Sequence, residues 1–503
     1  MALGNQDMMA AVAVTRFGLG AKPGELAAAK ADPQGFLKSQ IRKSGADMPA
    51  GPAVSTAQRM AEFRDFRKER REVRLEKAND ARPAPAGAAQ DPNMAQAAQA
   101  GEAHKAAFDP VKQVGNVLRK DISSDFEARA ALGAATDAAF RERWALFWAN
   151  HFTVSATKAI TGTVIGPFED EAVRPHVFGR FGDLLDAVET HPAMLTYLDQ
   201  IQSIGPDSPA AEFARNRGAR GAGLFGGQVQ PVAQRTLGLN ENLAREIMEL
   251  HTVGVNGGYT QADVTEFARA MTGLSIGNER DGAYGVATFR EQAHEPGVRT
   301  VMNVRYDGGG RRQTAQILAD LAAKPQTARF VCGKIARHFV ADDPPPALTA
   351  RLTDAWMRSG GDLAVVAETL VSAPEAWDPT PRKFKTPYEF LVSSFRAADA
   401  QPVGFQQLGG VLTSLGQKPF SAPSPKGWPE DAQSWAAPDA IVKRMQFAQN
   451  FSQNAARDRD PNQLAADALG ARLTPDTAKA ISRAESRPEG FALLLMSPEF
   501  QRR

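Results

Sequence analysis

A hydrophobic period of about 3.6 residues recurs through most of this chain and constrains its fold more than any other feature. It predicts a mainly α fold: a large multi-helix domain with long Gly/Pro-rich loops. Helical spacing breaks clearly over 278–306. There YGVATFREQ, HEPGVR and TVMNVRY predict a small antiparallel β-hairpin insertion. A Gly-rich run at 203–236 reads as a flexible loop, and 417–437 as a Pro, Gly and Trp-rich loop. Residues 59–79 read as a solvated helix in which arginines alternate with acids. The Ala, Pro and Gln-rich run at 81–107 holds too few large apolar side chains to order itself, so 59–107 is expected to be a charged helix followed by a disordered insertion.

Charge narrows the function classes. Fifty-nine basic residues against 57 acidic ones leave a net charge of +2, which gives no field to steer a polyanion, so no nucleic acid is expected. The single cysteine, Cys332, lies in the periodic segment FVCGKIARHFV and reads as a buried, inert thiol. The N-terminal run has no basic n-region and only a short apolar stretch, which predicts no membrane span and cytoplasmic residence. HExxH, paired CxxC and Asp-rich calcium-loop patterns are absent, so metal and cofactor stay unknown. No segment reads as a strand turning sharply into a helix around a serine nucleophile, and no strand precedes the Gly-rich run as a dinucleotide site requires.

Chemistry concentrates in NENLAREIMELHTVGVNGGYTQADVTEFARAMTG, residues 240–273. Wound at about 100° per residue, the first helix gathers Glu241, Asn242, Arg245, Glu246 and Glu249 into an arc of about 140°. Gly254, Gly257 and Gly258 stop it, and Thr260 with Asp263 starts the next helix as a capping box. Glu246 and Glu249, one turn apart, suit a shared proton or a division into acid and base. Arg245 lies one turn from both Glu241 and Glu249, and pairing with both would make the face a structural ion-pair network instead. His251 falls on the apolar side of the same wheel. His151, after Trp148 in WANHFTVS, suits a ligand or an acid beside a stacking ring, and equally the end of an aromatic core helix. His294 with Glu295 marks the hairpin, and PSPKGWPEDAQSW presents Trp428 and Trp435 on a rigid loop.

The 240–273 run resembles the signature of the bacterial domain of unknown function 1800 family. RFGLG at 16–20, WALFWANHFTVS at 144–155, EAVRPHVFGRFGDLL at 171–185, HPAMLTYLDQ at 191–200, FVCGKIARHFV at 330–340, KTPYEF at 385–390 and PSPKGWP at 423–429 agree in the same order. The resemblance covers essentially the whole chain as one family domain, 1–503. It implies a mostly helical fold and says little of activity. It also implies a neighbouring partner of the domain of unknown function 1501 family, often exported, and with it an alternative location outside the cytoplasm by co-export.

Two functions are consistent with these residues. One is a carboxylate-dependent hydrolase or lyase acting on glycan, with Glu246, Glu249, His151, His251 and His294 as catalytic groups and Trp148, Asn242, Arg245, Trp428 and Trp435 as substrate contacts. The other is a non-catalytic scaffold that binds an exported protein. Saturation of the acid face by Arg245, Arg174 and Arg337 would favour the scaffold.

Overall fold

Proline placement explains why so many helices begin where they do. Asp32, His191, Thr386, Asp460, Thr474 and Ser497 each cap a helix whose first residue is the following proline. Proline lacks only a donor that the first turn cannot use, and the capping side chain takes up a backbone N–H further in. The computed structural model describes residues 3–51, 53–80, 110–224, 238–279, 283–402 and 404–503. The expected disordered run at 81–107 lies outside the described residues.

The fold is mainly helical, as the periodicity predicts. The arginine-rich stretch is a helix, Thr56–Asp80. The Gly-rich run 203–236 is not a loop throughout, because Pro209–Leu224 is helical and 225–237 lies outside the described residues. Ser208 precedes Pro209 and its hydroxyl accepts from Ala211 N at 3.3 Å, so the cap-and-proline rule outweighs the glycines.

The predicted single hairpin is two small sheets. Strands β1 (Leu274–Ile276) and β2 (Ala287–Phe289) pair antiparallel, as do β3 (Arg299–Val301) and β4 (Val304–Tyr306). Met302 and Asn303 both take positive φ, 46° and 64°, which makes the tight two-residue turn that locks β3 to β4. The segment Ala287–Phe289 is thereby left to pair upstream, with Leu274–Ile276, which precede the expected hairpin.

Ala139–His151 forms the centre of the larger core. Trp144 and Trp148 are fully buried on it, and Trp144 stacks on Phe178 at 5.9 Å. Three π-helical segments occur among the described residues, Ala13–Phe17, Glu169–Val173 and Ile247–His251. The first two pack on Ala139–His151, and the third meets its last residue. A second core lies between Pro387–Ala397 and the C-terminal helices, around Phe390, Phe491 and Leu494. Cys332 is buried, and burial pushes its thiol up to about 12, in keeping with an inert role. No helix among the described residues is long and apolar enough to cross a membrane.

Candidate functional site

The acid helix changes gauge in its middle. Asn242–Glu246 is α-helical and Ile247–His251 is π-helical, after which Thr252 Oγ1 donates to Ile247 O at 2.7 Å. A π turn holds more residues per turn than an α turn, so His251 is rotated from the position an α wheel gives it. It is fully buried, with Nδ1 2.7 Å from Oε1 of Glu189, itself fully buried at the end of Phe181–Glu189. The two groups are close but out of line. Both Glu189 oxygens and both His251 nitrogens lack an aligned hydrogen bond among the described residues.

His151 reaches this point from the other side. Its Nε2 donates to the His251 carbonyl oxygen at 3.2 Å, and its Nδ1 accepts from the Lys334 ammonium at 2.8 Å. Those two partners fix the tautomer with the proton on Nε2. Burial, then the charge of Lys334, hold the imidazole well below its usual range, so it is neutral. Burial also lowers Lys334, to about 8. Helices a hundred residues apart in the chain therefore share one buried polar file: Glu189, His251, His151, Lys334.

Glu246 and Glu249 lie half-buried beside that file. Burial raises the Glu246 carboxyl; His251 lowers it and Glu249 raises it again. Two phenols flank the pair. Tyr197 is pushed up to about 12 by burial and by Glu246, while Tyr259 is raised by burial and by Glu249, with which it shares a hydrogen bond. Arg245 does not bridge to Glu249. It pairs with Glu241 at 3.0 Å and donates to Gln261 at 2.9 Å. Arg174 serves Glu142 and the Asp47 carbonyl, and Arg337 the Asp342 carbonyl. Among the described residues no arginine forms an ion pair with Glu246 or Glu249.

A family model described as protein of unknown function (DUF1800) matches residues 12–502. The chain belongs to this family. No curated protein and no solved structure matches it. In this DUF1800 chain the segments that carried the resemblance converge: WANHFTVS supplies His151, NENLAREIMELH supplies Glu246, Glu249 and His251, and FVCGKIARHFV supplies Lys334.

Other expected site residues of the DUF1800 chain lie elsewhere. Both ring nitrogens of His294 are taken by backbone, Nδ1 donating to Thr272 O at 2.9 Å and Nε2 accepting from Gly310 N at 2.9 Å, so this histidine braces the sheet region. Trp148 is no stacking wall. It is fully buried between Phe147, Phe152 and Phe181, because one-turn aromatic spacing here faces the core. Trp435 is also buried, its Nε1 donating to Pro429 O at 2.8 Å as the plug of its own loop. Asn242 is exposed and hydrogen-bonded by its N–H to Asn240. Trp428 is half-buried beside the His151 helix end, where Asn150 holds both its backbone groups, at 2.7 and 3.1 Å.

By letters, Gly273–Gly277 reads G-x-S-x-G, but Ser275 is buried within β1 and paired with Thr288, which is not a nucleophile turn. Among the described residues no group of three His, Cys, Asp or Glu side chains stands close enough to hold a metal ion. Glu189, Lys334, Tyr197 and Tyr259 were not singled out from the sequence. Each sits in or beside a segment of the family resemblance, and that was the only available signal.

The Trp428 loop depends on one glycine. Gly427 has φ of 85°, and a Cβ there would lie 2.4 Å from the Asn150 carbonyl oxygen. Gly427→Ala is expected to cost about 1–3 kcal/mol in urea unfolding, since neither the φ nor the backbone contact can relax cheaply. A loss under about 0.5 kcal/mol would mean that the loop is not held this way.

Proposed function

We propose that the protein is a carboxylate-dependent hydrolase or lyase acting on glycan, with Glu246 and Glu249 as its acid–base pair. One observation carries this reading: the two half-buried carboxylates lie together without an arginine ion pair among the described residues, beside a buried polar file in which Glu189 and His251 lack aligned hydrogen bonds. A structural lattice would have neutralised them. Unpaired buried groups persist where a fold holds them for a purpose.

The roles follow from the electrostatics. Glu246, raised by burial, keeps its proton to higher pH and donates it to a leaving oxygen. Glu249 acts as the base that activates water or removes a substrate proton. His251, backed by Glu189, holds the acid helix in place through the His151 contact and sets the field at Glu246. The aromatic face offered to a sugar is that of half-buried Tyr259, in place of the buried Trp148 and Trp435.

The test is turnover of neutral and uronate-containing oligosaccharides, followed by reducing-end release and by absorbance of unsaturated product. The expected result is a bell-shaped pH profile whose alkaline limb reports an acid above the ordinary carboxylate range. Absence of turnover on both classes, together with capture of an exported protein that needs this face, would replace the enzyme with the scaffold.

A further inference from the structure

A second site takes residues from the His151 helix but none of the acid pair. A partly open cavity of about 120 Å³ is lined by residues of Pro110–Ala135, Ala139–His151, Ala159–Phe168 and the loop that carries Trp428. At roughly 10–15 Å³ per water-sized occupant, it has room for about ten non-hydrogen atoms. Much of its wall is apolar, including Phe126, Ile165 and Leu412.

Its charged groups are unequal. Three carboxylates line it, and each is already engaged: Glu169 by Arg129 at 2.8 Å, Glu430 by His338 Nδ1 at 2.7 Å, and Glu389 by both Arg143 and Arg503. Two guanidiniums thus share one carboxylate in a buried setting. Nε of Arg129 and Nε of Arg143 meet no hydrogen-bonding partner among the described residues, and neither does Nε2 of His338. All three belong to residues that line this one cavity. Burial lowers His338, whose Nδ1 donates to Glu430, so its Nε2 is an acceptor. The two arginine Nε–H groups are the buried donors without acceptors among the described residues, which are costly when cationic, so the arginine side of the wall is complementary to negative charge. Arg129 also lies over the Phe420 ring at 4.6 Å, which holds its guanidinium in one plane at the cavity edge.

We infer that this cavity binds a small organic anion, a carboxylate or phosphate monoester on an apolar body, with its charged end between Arg129 and Arg143 and its body against Phe126, Ile165 and Leu412. The site is separate from the acid pair, and its test does not require turnover. Burial and the neighbouring Arg503 lower Arg143 to about 9, and a bound anion would relieve that repulsion.

The full-length protein would be titrated with benzoate, phenyl phosphate, inorganic phosphate and the neutral benzyl alcohol, read by thermal midpoint and by tryptophan fluorescence. The expected result is a saturable rise of a few degrees with benzoate or phenyl phosphate, whichever head group the site takes, and none with benzyl alcohol or inorganic phosphate. Leu412→Trp and Ile165→Phe fill the cavity from different wall residues, and each should abolish the rise while the protein stays folded. If one of them fails to fold, the other carries the comparison. The inference falls if neither organic anion gives a saturable shift, if benzyl alcohol matches them, if inorganic phosphate alone does as well, or if a folded filled variant responds like the wild type.

Discussion

Glu389→Leu is expected to destabilise the protein by roughly 3–5 kcal/mol, the largest effect of any single carboxylate substitution described here. Glu389 opens the helix Pro387–Ala397, where its Oε2 accepts from Thr386 N at 2.9 Å in a capping box. The same carboxylate is the ion-pair partner of both Arg143 and Arg503, two buried cations. Burial alone would raise it; the two arginines outweigh burial and hold it below the usual carboxylate range. Removing it strips compensation from both guanidiniums at once, in a place where water cannot replace it. Because the folded value is depressed, its contribution is present above the unfolded pKa of about 4.3 and is lost as pH falls through the folded one. The gap between wild type and Glu389→Leu in urea unfolding should therefore be widest near neutral pH and narrow on acidification. Glu389→Gln, which keeps a capping acceptor, should recover only a minor part. A loss below about 1 kcal/mol would show that the arginines are solvated in the folded state.

Glu246→Gln should behave in the opposite way. If Glu246 is the general acid, turnover should fall about 10²-fold or more while the fold keeps or gains stability. The sign follows from its raised carboxyl. A group with a raised folded pKa contributes stability below its unfolded value of about 4.3 and loses it as pH rises through the folded value. Neutral glutamine avoids that loss, so the variant should melt at or above the wild-type temperature at pH 7–8, with the advantage shrinking toward pH 4. A destabilisation of roughly 3–5 kcal/mol at pH 7 would instead mark Glu246 as the partner of a buried cation, and the enzyme reading would be abandoned for the scaffold.

Much of the helical framework was legible because its causes are local. Periodicity marked the helices, and Thr260 with Asp263 forms the capping box their spacing predicts. The pairing of Arg245 with Glu241 was also legible, at four residues' separation. What escaped was non-local. Glu189 meets His251, and Lys334 meets His151 across 183 residues; no pattern within one helix encodes either contact. The wheel put His251 on the apolar side, where it is indeed buried, but no wheel shows the π turn at Ile247–His251 that ends the helix. Trp148 was misplaced because the same aromatic spacing serves a core and a sugar platform, and Trp435 because a rigid loop can turn its indole inward as well as outward. Pairing in the sheets was blurred by strands of three residues each, too short for alternation to register.

The N-terminal segment around Phe17 is held by residues made very late. Arg396 donates to the Gly20 carbonyl across 376 residues, Arg16 to the Ala376 carbonyl across 360, and Arg472 to the Thr15 hydroxyl across 457. At about 5–20 residues per second, Arg472 leaves the ribosome roughly 20–90 s after Thr15. Until the last of these residues is made, the N-terminal segment lacks part of the hydrogen bonding that holds it in the finished protein. Slowing the ribosome near the end of the message is therefore expected to lower the folded yield, and a holding chaperone to restore it.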